Sequence, residues 1–402
     1  MRAPRWGLAA ALVLMLTAAA CGNDPGTGSG AGSESAAPSE AGSAASEAPS
    51  EAASDPASEA ASDPASEASS LVPLDQLCSE EYGDVEAPDD FSVGLVTDIG
   101  SVDDGTFNQY AFEGMQAAEE CFGIETNFIE TQNQADYENN LGTILSDEPD
   151  VVVTVGFLLA DGTAQFAGEN PDVNFVGVDQ FQEEYGDNYA GVLFREDQGG
   201  YLAGAMAGLL TESNVVGVIG GLESVPPVVR LVNGYEAGAR AENPDVDVLP
   251  IYNESFTDPA KGRSDAEQML GEGADVIFGA GGQTGSGGIQ AAAEDGQWAI
   301  GVDQDEYFTT FDGGDARGAE FLATSAIKRV DLGVFTKIAE AIQDEFEAGI
   351  FTLEASNDGI TYAPFHDADI PEDVAARMEE IRQGLADGSI DTGIDPITGE
   401  PK

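Results

Sequence analysis

Residues 91–122 read FSVGLVTDIGSVDDGTFNQYAFEGMQAAEECF, and the fold follows from this stretch. Phe91 to Val96 is a short apolar run of the kind that forms a strand buried on both faces. A turn rich in Asp and Gly follows. Phe107, Tyr110, Ala111, Gly114, Met115, Ala118 and Phe122 then recur at spacings of three and four, which places them on one face of a helix. Strand, turn and helix form a unit that the chain repeats. Further strands are predicted at Ile124–Ile129, Val151–Val155 and Asn174–Val178. A small-residue helix near Tyr201–Leu210 separates these from a second series at Val215–Ile219, Val246–Ile251, Val276–Phe278 and Ala299–Val302. Runs apolar on both faces and joined by helices define an α/β architecture of two doubly wound lobes. The first lobe is expected over 71–195 with a returning segment near 325–350, and the second over 196–324 with part of 351–385. One more strand is expected beyond Thr352, then a helix at Pro371–Leu385 and a loose tail over 386–402.

Upstream of this unit the composition changes. Arg2 and Arg5 precede an apolar run from Leu8 to Leu16, and Ala18, Ala19 and Ala20 lead into Cys21. This is the pattern of a secretory signal over 1–20. Small residues followed by cysteine resemble the lipobox of bacterial lipoproteins, although Ala18 stands where leucine is more usual. The resemblance implies cleavage before Cys21 and lipid on its sulfur; plain secretion with a chance cysteine is the alternative. Residues 22–70 are almost all Gly, Ser, Ala, Glu, Pro and Asp, with SEAASDPA at 50–57 and again at 58–65. Such a segment cannot form a core and is expected to be a disordered acidic stalk. No later segment is apolar for 18 residues, so no membrane-spanning helix is expected.

Fourteen Lys and Arg face 75 Asp and Glu, a net charge of −61. Only nine of those acids lie between 22 and 70, so the acidity belongs mostly to the folded body. A field of this sign disfavours nucleic acid and anionic membrane surfaces as partners. A saline habitat and a generally acidic exported protein both account for it. One histidine, His366, and three cysteines leave little material for a His-based triad, a zinc site or an iron–sulfur cluster. With Cys21 assigned to lipid, Cys78 and Cys121 remain. They read as a disulfide between the N-terminal segment and the end of the first helix, with two buried free thiols as the alternative.

In doubly wound folds, ligands bind beyond the carboxyl ends of the strands. The residues there are Asp98 and the loop to Asn108, Gly156–Asp161, Asp179, Ser255–Asp258, Gly281–Gly285, and Asp303 with Asp305. Solvated turn acids are the competing reading for any one of them, and a weaker one for the set.

Seven ordered segments resemble the basic membrane protein (BMP) family of ABC-transporter binding lipoproteins, which includes purine-nucleoside receptors. They are GLVTDIGSVDDGTFNQYAFEGM at 94–115, GFLLAD at 156–161, FREDQGGYLAGAMAGLL at 194–210, SFTDPAKG at 255–262, GAGGQTGSGG at 279–288, IGVDQD at 300–305 and TSAIKRVD at 324–331. The resemblance runs from Phe91 to Val334 and is weak beyond Thr352. It implies two Rossmann-like lobes joined by hinge crossings, the type I periplasmic-binding-protein fold, closing on a ligand. It also implies that Phe107 and Phe256 sandwich a base, that Asp98 and Asp179 accept from it, and that Asp303 and Lys328 hold ribose hydroxyls. Gly282 would let the backbone approach the sugar. Asn108 is the polar neighbour of Phe107, and Asp161 and Asp305 are reserve candidates. Core packing of the two phenylalanines and a surface position for Lys328 are the bland alternatives.

The function implied is an extracytoplasmic, lipid-anchored binding protein of the cell membrane. It would act as a monomer, deliver a nucleoside to a permease and ATPase, and use neither metal nor cofactor. Acids around one lysine favour neutral nucleosides over nucleotides, and a sugar stays possible. Three features depart from the family pattern: the glycine-rich GGQTGSGG loop, Pro226–Pro227 and the acidity. Two other classes compete. Thr97–Asp104 partly matches the calcium motif of nucleoside hydrolases, though with one extra residue and Val96 in place of an acid. A signalling or adhesion lipoprotein would use the same anchor and stalk.

Overall fold

A computed structural model describes residues 71–402. The signal peptide, Cys21 and the stalk expected over 1–70 lie outside the described residues. In chain order the elements are α1 (Leu74–Glu81), β1 (Ser92–Ile99), α2 (Phe107–Phe122), β2 (Glu125–Thr131), α3 (Tyr137–Leu145), β3 (Val151–Val155), α4 (Ala160–Glu169), β4 (Asn174–Val178), β5 (Tyr189–Phe194) and α5 (Glu196–Leu210). They continue with β6 (Val215–Gly220), α6 (Pro226–Glu242), β7 (Asp247–Tyr252), α7 (Pro259–Gly271), β8 (Val276–Ala280), α8 (Gly282–Glu294), β9 (Trp298–Asp303) and α9 (Glu306–Thr309). The last are β10 (Leu322–Lys328), α10 (Val330–Ile342), β11 (Gly349–Leu353), β12 (Ile360–Tyr362) and α11 (Glu372–Ala386).

Two six-stranded sheets result, ordered β2-β1-β3-β4-β5-β11 and β7-β6-β8-β9-β10-β12. Every pairing is parallel except β12 on β10. The central strands are buried along their length because helices cover both faces; β3 and β8 expose nothing. These are the two doubly wound lobes of the type I periplasmic-binding-protein fold. The expected bridge between Cys78 and Cys121 is present and staples α1 to the end of α2.

The chain crosses between the lobes three times: at Arg195, at Arg329 and between Leu353 and Ile360. Arg195 (φ −89°, ψ 68°) and Arg329 (φ −69°, ψ 64°) adopt the same compact turn. Each arginine folds back on the acid two residues ahead. Arg195 Nε donates to Asp197 Oδ1 at 2.7 Å, and Arg329 Nε to Asp331 Oδ1 at 2.8 Å.

Three expectations need correction. The returning segment starts after Lys328, not near 325, because Leu322–Lys328 pairs with β9 in the second sheet. That strand and β5 were not anticipated, since Thr324, Ser325 and interspersed Ala and Gly dilute the apolar signal that burial would otherwise produce. Pro226 and Pro227, noted as a departure from the family pattern, open α6, where the missing N–H groups cost nothing. Residues 386–402 are not a loose tail. Thr392 and Ile394 are buried, and Arg230 Nη1 donates to the Ile397 carbonyl at 3.0 Å.

Candidate functional site

The strand ends of both sheets converge on one cleft. Asp98, Phe107, Asn108 and Asp179 reach it from the first lobe, and Phe256, Gly282, Asp303 and Lys328 from the second. Asp161 and Asp305 do not. After β3 the chain turns through Phe157–Leu159, so Gly156 and Phe157 face the cleft while Asp161, on the first turn of α4, points to solvent. Asp305 is spent locally: it accepts from the Tyr307 N–H at 3.2 Å and lies 2.7 Å from His366 Nε2.

The carboxylates differ in what remains free. Asp98 Oδ1 accepts from the Ile99 N–H at 2.7 Å and from the Tyr137 hydroxyl, which leaves Oδ2 facing Gly156. Burial lifts Asp98 to about 6. Asp179 Oδ1 is buried with no partner among the described residues, and Asp303 accepts no side-chain hydrogen bond from any of them. Burial pushes Asp303 up to about 6 and Asp179 up to about 7, since Lys328 offsets desolvation only in part. Asp104, at the N-terminus of α2, accepts from the N–H groups of Thr106 (2.9 Å), Asn108 (3.2 Å) and Gln109 (3.1 Å). Asp104 thus caps the start of α2. Among the described residues no cluster could hold a metal ion.

Lys328 is the centre of the site. Its Nζ donates to Asp179 Oδ2 at 2.6 Å, lies 3.0 Å from Glu196 Oε1, and stands 4.9 Å from the Phe107 ring centroid. Burial works against its charge, but Asp179, Glu196 and Asp303 outweigh it and raise the amine above the ordinary lysine value. Glu196 gains a second cation: Arg230 Nε donates to its Oε2 at 2.5 Å. Burial alone would raise Glu196, yet Arg230 and Lys328 hold it down to about 2.

Asn108 lines the cleft, but its amide is already engaged. Its Oδ1 accepts from the Asp98 N–H and its Nδ2 donates to Asp104 Oδ2, both at 2.9 Å. Asn108 therefore shapes the site by holding two aspartates.

The opposite wall is apolar. Val225, Pro227, Val228 and Leu231 from the start of α6 line it. Pro226 and Pro227 have no N–H to offer, and the N–H groups of Val228 and Val229 both return to the Val225 carbonyl. This helix end presents no donor to a ligand. The apolar wall went unread because the double proline was noted only as a departure from the family pattern. Another signal was visible twice: GVDQ occurs at 177–180 and at 301–304, ending β4 and β9 in corresponding places of the two lobes. Both aspartates have positive φ, 60° at Asp179 and 67° at Asp303, which turns each carboxylate into the cleft.

Two α/β lobes with three crossings and a cleft between them, acidic on one wall and apolar on the other, define a solute-binding protein of the periplasmic-binding-protein class. Residues 91–382 match the Bmp family, described as ABC transporter substrate-binding protein PnrA-like. The match extends past Val334, through β11, β12 and most of α11. The chain belongs to this family. It is 33% identical over 328 residues to the CD4+ T-cell-stimulating antigen of Listeria innocua, covering 77% of this chain and 89% of that one. It is 33% identical over 290 residues to the ABC transporter nucleoside-binding protein BmpA of Lactococcus lactis subsp. cremoris, covering 67% and 81%. A crystal structure of an ABC transporter solute-binding protein from Aeropyrum pernix aligns with a TM-score of 0.67 at 27% identity, covering 75% and 92%. The family's members are substrate-binding proteins of ABC transporters.

Proposed function

We propose that this protein captures a nucleoside, with a purine base preferred, and delivers it as a monomer to an ABC permease and ATPase from a lipid anchor at Cys21 on the extracytoplasmic face. The observation that carries this reading is the unpartnered Asp179 Oδ1 across the cleft from the free Asp303 carboxylate, with Phe107 and Phe256 also lining the space. Ribose hydroxyls and base N–H groups are donors, so a nucleoside offers what these oxygens lack. The phenylalanines provide the π faces a base needs. A phosphate would meet four cleft aspartates and the donor-free end of α6, so nucleotides are excluded. The nucleoside-binding name of the Lactococcus relative supports the same class.

Thermal-shift titration with adenosine, guanosine, inosine, cytidine, ribose and AMP tests the reading. Purine nucleosides should raise the melting point most, and ribose and AMP should leave it unchanged. A response to ribose alone, or to no nucleoside, would refute it. Replacing Cys21→Ser should release the protein from the membrane fraction; retention would refute the anchor.

A further inference from the structure

The end of the chain reaches the back of the ligand-site wall. Gly393–Lys402 folds as a tight hairpin, in which the Asp395 N–H donates to the Glu400 carbonyl and the Lys402 N–H to the Gly393 carbonyl, both at 2.8 Å. It seats on α6. Arg230 Nη1 donates to the Ile397 carbonyl at 3.0 Å, and Asn233 Nδ2 to the Gly399 carbonyl at 2.7 Å. The same helix lines the ligand cleft through Pro227, Val228 and Leu231. It is also locked to α5 at near backbone contact: a Cβ on Gly204 would lie 1.9 Å from the Tyr235 carbonyl oxygen, and one on Gly238 2.1 Å from that of Tyr201. A helix gripped so closely shifts only as a body. What braces its other side therefore sets where the apolar wall stands.

Arg230 carries the contact further inward. Only 5% exposed beneath the hairpin, it pairs with Glu196, which pairs with Lys328, which pairs with Asp179 in the cleft. Four charges of alternating sign thus connect the hairpin to the ligand acceptors. The family match ends at residue 382, before the hairpin begins.

We propose that the C-terminal hairpin is a positioning element of the ligand site, bracing α6 and fixing Arg230, and through Arg230 holding Lys328 and Asp179 in register for the ligand. This rests on the nucleoside reading above. The charged groups that face Asp179 are Lys328 from β10, Glu196 from α5 and Arg230 from α6, with Asp303 acting through Lys328. Without Arg230, Lys328 becomes the sole cation of Glu196 and is drawn away from Asp179, which then takes up a proton more easily.

The test uses full-length variants. Gly399 has φ +82°, and a Cβ there would lie 3.0 Å from both the Arg230 nitrogen and Val229 Cγ1, so Gly399→Val lifts the hairpin from α6. Arg230→Met removes the charge and Arg230→Lys retains it. Ile397→Ser is the control, because that side chain is 61% exposed and only its carbonyl is used. In the unliganded protein, Gly399→Val should speed amide exchange in α6 about tenfold and leave the first sheet unchanged. Inosine affinity should fall about tenfold. For Arg230→Met the midpoint of the acid loss of inosine binding should rise by about half a pH unit or more, and Arg230→Lys should restore it. Unchanged α6 exchange together with an unchanged midpoint would overturn the proposal, as would loss of protection throughout the second lobe, which would make the hairpin a general stabiliser. If the wild-type protein binds no nucleoside, the nucleoside reading fails, while the exchange result still decides the brace.

Discussion

Lys328 Nζ stands 2.6 Å from Asp179 Oδ2, joining the last residue of β10 in the second lobe to the residue after β4 in the first. The pair spans the cleft and ties the two lobes together. The lysine is also held by Glu196, which opens α5 just past the first crossing. A ligand that engages Asp179 Oδ1 therefore acts on a group already linked to the hinge, which is how occupancy becomes domain geometry.

The buried acids make binding depend on pH with a definite sign. Asp98 and Asp303 are raised to about 6 and Asp179 to about 7. Folding binds protons at these groups that the unfolded chain has already released, so the unliganded protein loses stability as pH rises from about 4 to about 7. Glu196 acts oppositely. Held down to about 2, it contributes stability above its unfolded value that is lost as pH falls toward 2. A ligand donor needs the ionised acceptor, so the thermal shift produced by inosine should grow between about pH 5 and pH 7.5. Equal shifts across that range would show that these carboxylates do not contact the ligand.

Phe107 is half-buried at the first turn of α2, with Lys328 against its ring. Phe107→Ala should cost purine binding about 1–3 kcal/mol, a loss of roughly five- to 150-fold, through the stacked face. Because the ring is not enclosed in the core, the melting point of the unliganded variant should stay close to the wild-type value. Calorimetric titration paired with a thermal scan separates the two effects. A large drop in intrinsic stability with affinity unchanged would make Phe107 a packing residue.

Gly156, just after β3, has φ +99°, and a Cβ there would lie 2.2 Å from Asp98 Oδ2. Gly156→Ala therefore strains the backbone and displaces the carboxylate. Stability should fall by about 1–3 kcal/mol and nucleoside affinity should fall with it. An Asp98→Asn, Gly156→Ala double variant distinguishes the two costs. If affinity is lost through Asp98, the second substitution adds little to the loss of binding while still lowering the melting point.

The legible parts of the sequence were those with a local signal. Buried strands such as Val151–Val155 and the face of α2 from Phe107 to Phe122 follow from period and composition, and the strand-end rule found Asp98, Asp179 and Asp303. The parts that were missed depend on distant partners. Thr324 and Ser325 look like loop residues until β9 pairs with them. Asp161 and Asp305 satisfy the same strand-end rule as Asp179, but one extra turn of helix and a neighbouring histidine take them out of the cleft. The apolar wall on α6 and the docking of Gly393–Lys402 come from elements far apart in the chain, and no spacing rule connects them.

Two further hydrogen bonds close the cleft directly. Thr309 Oγ1 donates to the Gly105 carbonyl at 2.8 Å, and Gln304 Nε2 to the Thr106 carbonyl at 3.2 Å, each running from the second lobe to the loop before α2. Neither donor needs a ligand, so both favour the closed form in the empty protein. Each is worth about 1 kcal/mol, enough to move a balanced equilibrium about fivefold. Thr309→Val combined with Gln304→Ala should therefore populate an open form. Small-angle scattering of the unliganded variant should show a larger radius of gyration than wild type, and saturating nucleoside should restore compaction. Affinity should drop in proportion to the closed fraction lost, with the order of preference among nucleosides unchanged. Identical scattering curves for variant and wild type would mean that the ion pair of Lys328 with Asp179, and not this loop, holds the lobes together.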